Sequence, residues 1–196
     1  TAPGAADEPA TPGHGAPVAS TLVPMETFAG SIVRLSGASL ADESALGGKA
    51  ANLGELIAAG FPVPPGFALT ADAYRRAMDA NGLTAGLREG VEATDPDDGA
   101  ALSATSRELQ QRIVAAGMPD ELRSEVLRAY EELVGPDGAA PGARVAVRSS
   151  AVGEDGSGAS YAGMNASFTN VDDGDELVAR IVDCWASGHG ARALAY

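Results

Sequence analysis

Lys49 is a candidate for a chemical role because it is the only lysine in the chain. The other 12 of the 13 lysine and arginine residues are arginines. It follows a glycine pair and precedes Leu53, Leu56 and Ile57, whose helical spacing places it in the first turn of a predicted helix. The helix dipole disfavours a cation there, whereas a bound phosphate would favour it, helped by helix N–H groups and closely approaching glycine backbone. Two interpretations stay open, a solvated surface lysine and a phosphate ligand, and the segment does not match the Walker pattern.

A second candidate site is formed by Arg148, Ser149 and Ser150, which follow an apolar run typical of a strand. An arginine with two hydroxyl groups at a strand end can hold phosphate oxygens through charge-assisted hydrogen bonds. The glycine-rich segment beyond, which includes Gly163, could close over the same anion with backbone donors. The alternative is an exposed hairpin that carries a surface arginine, and the composition leaves both interpretations open.

The elements that must position these residues are predicted from apolar spacing and from glycine and proline. Strands are predicted at 31–35, 67–69, 144–150 and 166–171. One helix is predicted from the Lys49 segment to a stop at Gly60, and another from an N-cap at Thr70 to a stop at Gly82. Further helices are predicted over 98–116, from Pro119, and from about residue 175.

Apolar stripes on the last three helices predict the core. The stripes are Leu102, Leu109, Ile113 and Ala116, then Leu122, Val126, Tyr130 and Leu133, and finally Leu177, Ile181 and Trp185. The helices before and after Gly117 are expected to form an antiparallel pair. Because helices and strands mix without regular βαβ alternation, the predicted fold class is α+β, with a mixed or antiparallel sheet and packed helices.

The composition sets limits on the partners of this chain. With a net charge of −14 and a pI of about 4.4, a general basic patch for nucleic acid or anionic membrane is not expected. No apolar run approaches the roughly 18–20 residues that span a bilayer. Residues 1–24, rich in Ala, Pro and Gly, are predicted to be a disordered tail before one domain over 25–196. The single cysteine excludes an intrachain disulfide and is consistent with the cytoplasm.

Other reactive residue types have simpler interpretations. Cys184 and Trp185 are predicted to pack in the core, and Asp172–Glu176 to be a solvated turn that caps a helix. His14 falls in the predicted tail, and His189 has no neighbouring set of metal ligands in the sequence. No catalytic residue and no metal-binding residue is therefore predicted within the chain.

Three motifs in order resemble a known family: GGKAANLGEL with the following GFPVPPGFALTADAY, VAVRSSAVGEDGSGASYAGMNASFTNV, and CWASGHGARALAY. From about residue 30 to the end, the chain resembles the N-terminal nucleotide-binding part of phosphoenolpyruvate synthases, pyruvate phosphate dikinases and rifamycin phosphotransferases. The resemblance implies the first half of an ATP-grasp fold. It implies that Lys49 and Arg148, beside Ser149, contact ATP phosphates and that Gly163 and Ser167 line the nucleotide. The sequence departs from the family pattern at Met164, where a glutamine is usual.

The resemblance also implies an activity. The family passes the β-phosphoryl group of ATP to a histidine on a swivelling domain, and from there to pyruvate or to an antibiotic hydroxyl. Pyruvate is the expected acceptor, as in phosphoenolpyruvate synthase, and an antibiotic is the alternative. The second ATP-grasp half, the Mg²⁺ ligands and the phosphohistidine domain would lie outside this chain, in cis or on a separate subunit. A module of another class also remains open, one that binds a nucleotide or a partner without catalysis.

Overall fold

The computed structural model describes residues 30–138, 140–150 and 166–195. The predicted tail, His14 and Gly163 lie outside these ranges. The strands are β1 (Ile32–Arg34), β2 (Phe67–Leu69), β3 (Val145–Arg148) and β4 (Ser167–Val171). The helices are α1 (Glu43–Leu46), α2 (Gly48–Ala58), α3 (Ala71–Ala80), α4 (Thr84–Glu92), α5 (Gly99–Ala116), α6 (Asp120–Val134), α7 (Gly174–Ser187) and α8 (Ala191–Leu194).

The strands form two small antiparallel sheets. β1 pairs with β2, and β3 pairs with β4, where Arg148 lies opposite Ser167 and an irregularity separates Val145 from Val147. The predicted strands are all present, because their β-branched and aromatic residues pack on the helices from one side. With packed helices around antiparallel pairs, the α+β class is confirmed.

The main core lies between the longer helices and the β3–β4 sheet. All residues of the predicted stripe on α6 are buried, as are Leu102, Leu109 and Ile113 on α5, but Ala116 is exposed at the end of its helix. The expected α5–α6 pair is wrong, because each of these helices packs mainly on α7. α7 buries neighbouring positions along its length, including Leu177 and Val178, and this face is broad enough to cover both helices.

Side-chain caps begin several helices, which leaves fewer helix N–H groups without an acceptor. Thr70 Oγ1 accepts a hydrogen bond from Ala73 N at 3.1 Å, which confirms the predicted cap of α3. Asp98 caps α5 through two backbone N–H groups, and Asp173 caps α7 in the same way. The predicted capping turn before the last long helix is therefore confirmed.

Helix α2 buries a face of small residues: Gly48, Ala50, Ala51 and Gly54. A Cβ on Gly54 would lie only 2.0 Å from Ala38 O, so the helix lies directly on the backbone of the preceding segment. Ala38 and Ala50 form a second, smaller core with Leu46. Leu56, which helped to predict this helix, is 41% exposed. The leucine spacing predicted the helix correctly but does not mark its buried face.

The C-terminal part of α7 holds the predicted core cysteine. Cys184 is buried, and burial raises the pKa of its thiol to about 11, so the group stays protonated at neutral pH. Trp185 is half-buried and contacts the Tyr74 ring edge-on, with ring centroids 5.8 Å apart. The core-packing prediction for this pair is confirmed. Across the described ranges, no helix combines the length and the apolar character needed to cross a bilayer.

His189 lies beside the same aromatic pair. Its Nε2 is 2.8 Å from the Tyr74 hydroxyl, and the residue is half-buried. Burial lowers the pKa of His189 and raises that of Tyr74 to about 12, because both charged forms would lose water. The neutral ring can accept a hydrogen bond from the Tyr74 hydroxyl at Nε2, and this bond ties the turn after α7 to α3.

This burial predicts a pH dependence of stability. The folded-state pKa of His189 is lower than its unfolded value, so the unfolded chain binds the proton more tightly. The contribution of neutral His189 to the free energy of unfolding is complete above about pH 6.5, the ordinary pKa of histidine. It is lost as the pH falls through the folded-state pKa. Urea unfolding between about pH 7.5 and 5 should show a steeper loss of unfolding free energy for the parent than for His189→Gln. Parallel curves for the two proteins would contradict this role of His189.

Candidate functional site

Helix α2 begins at a sharp turn that only glycine adopts easily. Gly47 has φ of 79° and ψ of 161°, and it separates α1 from α2. The first helical hydrogen bond runs from Ala51 N to Gly47 O at 3.2 Å. Lys49 is the second residue of the helix and is half-buried. The predicted placement of the single lysine in a first helical turn is thus confirmed.

The end of β3 meets this turn directly. Ala50 N donates a hydrogen bond to Ser150 Oγ at 3.3 Å, across 100 positions of sequence. A Cβ on Gly47 would lie 2.5 Å from both Ser150 O and Ser150 Oγ. The segment that carries Lys49 and the segment that carries Arg148 are therefore in backbone contact, as a shared site requires.

Arg148 and Ser167 lie side by side on the β3–β4 sheet. They are register partners in an antiparallel pair, so their side chains share one face, and both residues are exposed. Val147 turns inward to the core, which sends its neighbour Arg148 to the opposite face. The structure thus places side by side two predicted site residues from the two ends of one motif.

Ser149 has a different environment from Ser150. Its backbone N–H donates to Ala166 O at 3.1 Å, and its hydroxyl lies 3.4 Å from the same carbonyl. These contacts fasten the end of β3 to the residue before β4. In this structure the hydroxyl that reaches α2 is that of Ser150.

The Ser150 contact is the part of the site that sequence reasoning missed. The three-residue motif offers two adjacent hydroxyls, and nothing local distinguishes them. The available signal was the start of α2, where Gly47 occupies the N-cap position and has no side chain. A helix whose own cap residue offers no oxygen can receive one from another segment.

The chemistry of the described site residues favours an anion. The segments that carry the Lys49 ammonium and the Arg148 guanidinium meet at the α2–β3 junction, beside the Ser150 hydroxyl and the N-terminus of α2, in a chain with net charge −14. Such donors bind phosphate oxygens through charge-assisted hydrogen bonds. Among the described residues, no three His, Cys, Asp or Glu side chains are grouped to hold a metal ion.

An α+β module that brings two cation-bearing segments together at a helix N-terminus has the features expected of a domain that binds a phosphate ligand. Residues 43–196 match the family described as the pyruvate phosphate dikinase AMP/ATP-binding domain. The chain belongs to this family, and the resemblance predicted from its motifs is confirmed.

Similar proteins are named phosphoenolpyruvate synthases. The chain is 41% identical over 166 residues to a probable phosphoenolpyruvate synthase of Staphylothermus marinus, a match that covers 84% of this chain and 20% of the relative. It is 38% identical over 170 residues to the phosphoenolpyruvate synthase of Pseudomonas aeruginosa, which covers 84% and 21%. The Escherichia coli enzyme is 36% identical over 159 residues, which covers 79% and 20%. The chain spans about a fifth of the length of these relatives.

Proposed function

We propose that this chain is the ATP-binding part of a phosphoenolpyruvate synthase-like dikinase and that it holds ATP phosphates at the α2–β3 junction. The observation that carries the proposal is the contact of Gly47 and Ala50 with Ser150. Since this contact joins the two cationic segments, one polyphosphate can reach both. Membership of an AMP/ATP-binding family supports the choice of nucleotide.

Each site residue has a proposed role. The Lys49 ammonium is a point charge for phosphate oxygens, and the Arg148 guanidinium is a two-pronged donor on the neighbouring sheet. Ser167 faces the nucleotide from the strand position opposite Arg148. Ser149 supports the strand end through Ala166, and Gly163, outside the described ranges, is proposed to approach the nucleotide with its backbone.

Mg²⁺ does not fit the described residues of this site. The site side chains are cations and hydroxyls, and Mg²⁺ prefers carboxylate and water oxygens. We therefore place its ligands outside these residues and derive no step through the metal. What these residues supply is neutralisation and orientation of the phosphates, which is the protein's main contribution to phosphoryl transfer.

The complete reaction needs further domains. We propose that the β-phosphoryl group moves to a phosphohistidine, on a domain in cis or on another subunit, and then to pyruvate. The names of the relatives favour pyruvate over an antibiotic acceptor. Within this proposal, the chain is the first half of an ATP-grasp fold, the second half completes the nucleotide pocket, and the enzyme acts in the cytoplasm.

Replacing Lys49 tests the proposal. The parent should bind ATP in isothermal titration, with or without Mg²⁺, and Lys49→Ala should bind it about 10- to 100-fold more weakly, because a charge-assisted contact is lost. Arg107→Ala is the matched control, since it removes one exposed cation from α5 and leaves the site intact. A parent that does not bind ATP would overturn the proposal. Equal affinity of Lys49→Ala and the parent would refute the role of Lys49.

A further inference from the structure

We propose that Ser150 is a positioning residue that caps helix α2 from another strand and thereby sets the spacing between Lys49 and Arg148. The inference rests on the proposed function, because it concerns how the same site is assembled. It also assigns to Ser150 a role distinct from that of its neighbour Ser149.

The geometry is that of a helix cap supplied by a distant segment of the same chain. Gly47 is the N-cap residue, and Ala50 is the third residue of the helix. A serine at an N-cap normally accepts a hydrogen bond from the second or third helical N–H. Here the Ala50 N–H donates instead to Ser150 Oγ, which lies 2.5 Å from the position that a Gly47 Cβ would occupy. The hydroxyl of Ser150 thus stands where the missing cap side chain would be.

This hydrogen bond joins the two cationic segments directly. Ala50 follows Lys49 directly, and Ser150 lies two residues after Arg148. A polyphosphate binds tightly to two cations only when their separation is fixed, since small displacements reduce the binding free energy gained from preorganised contacts. The hydrogen bond also occupies the Ala50 N–H, so a ligand phosphate is expected to bind other donors.

A purely structural role would have a different signature. Loss of a cap destabilises the fold wherever the cap lies, but it changes nucleotide affinity only if the capped helix positions the ligand. Thr70 provides a matched comparison, because its hydroxyl caps α3 by the same kind of bond, to Ala73 N at 3.1 Å. α3 carries none of the proposed phosphate ligands.

The experiment compares Ser150→Ala, Ser150→Thr and Thr70→Ala with the parent. Melting temperatures, ATP titrations at a temperature where all four proteins are folded, and amide exchange of Ala50 are measured in the same samples. Ser150→Ala and Thr70→Ala should lose similar stability, but only Ser150→Ala should bind ATP and inorganic tripolyphosphate about fivefold more weakly. Ala50 exchange should accelerate in Ser150→Ala and stay protected in Ser150→Thr, which keeps the hydroxyl and the parent's affinity.

The outcomes separate this inference from the proposed function. A parent that does not bind ATP overturns the proposed function and the positioning role together. If the parent binds ATP and Lys49→Ala does not, parent-like affinity of Ser150→Ala overturns only the positioning role. That role is also overturned if Thr70→Ala weakens ATP binding as much as Ser150→Ala does. Unchanged Ala50 exchange in Ser150→Ala would overturn the cap itself.

Discussion

Replacing Gly54 with alanine should lower the free energy of unfolding by about 3 kcal/mol or more, one of the largest effects of a single methyl group in this protein. The new Cβ would lie 2.0 Å from Ala38 O and 2.5 Å from Ala38 C, and both are backbone atoms that no rotamer change can move. Helix α2 would have to shift away from this segment. That shift would open the small core around Leu46 and Ala50.

Urea denaturation of Gly54→Ala beside Gly99→Ala checks this expectation. Gly99 is also a helical glycine, at the start of α5, but a Cβ there would meet nothing within 4 Å. Alanine at Gly99 should be neutral or stabilising by up to about 1 kcal/mol, because alanine has the higher helix propensity. If both variants unfold at the parent's midpoint, the close approach of α2 to Ala38 is not a constraint on the fold.

The second large effect is expected at Gly47. Alanine there combines an unfavourable positive φ with a clash against the Ser150 backbone and hydroxyl, each 2.5 Å from the new Cβ. Together these should cost about 2–3 kcal/mol of stability. Because the clash pushes the two cationic segments apart, ATP affinity should also fall by more than about tenfold.

Gly60 provides the control that separates the cost of the positive φ from the cost of the clash with Ser150. It also has a positive φ, 81°, but a Cβ there would meet nothing within 4 Å. Gly60→Ala should therefore show the backbone cost alone, about 1 kcal/mol, and bind ATP like the parent. Titration calorimetry and thermal unfolding on both variants measure the two effects. Retention of ATP binding by folded Gly47→Ala would show that the contact with Ser150 is not needed for the site.

Local signals predicted much of this fold. The apolar stripe on α6 is buried as its spacing indicates, and the Thr70 cap forms because a hydroxyl before a helix satisfies N–H groups nearby in sequence. The spacing of apolar residues did not predict burial correctly where burial depends on contacts with a distant part of the chain. Ala116 lies on the predicted stripe of α5 but is exposed at the end of that helix.

At the candidate site, too, the local features could be predicted from the sequence and the long-range contacts could not. Residue types alone indicated that Lys49 and Arg148 could bind phosphate, because cations beside glycine backbone and hydroxyls suit a phosphate ligand, but they did not exclude two solvated surface residues. The pairing of Gly47 with Ser150 could not be predicted, since it joins positions about 100 residues apart without a local pattern. The small-residue face of α2 was hidden for a related reason: alanine and glycine mark burial only once the neighbouring backbone is known.

The capping of α2 by Ser150 has a consequence for how the protein folds. The first turn of this helix is completed by an oxygen that is distant in the chain, so closing that contact carries the entropy cost of a long loop. The turn around Lys49 is therefore expected to consolidate late, after β3 has docked. A partly folded chain is therefore expected to form the helices that local contacts complete before it forms the α2–β3 junction.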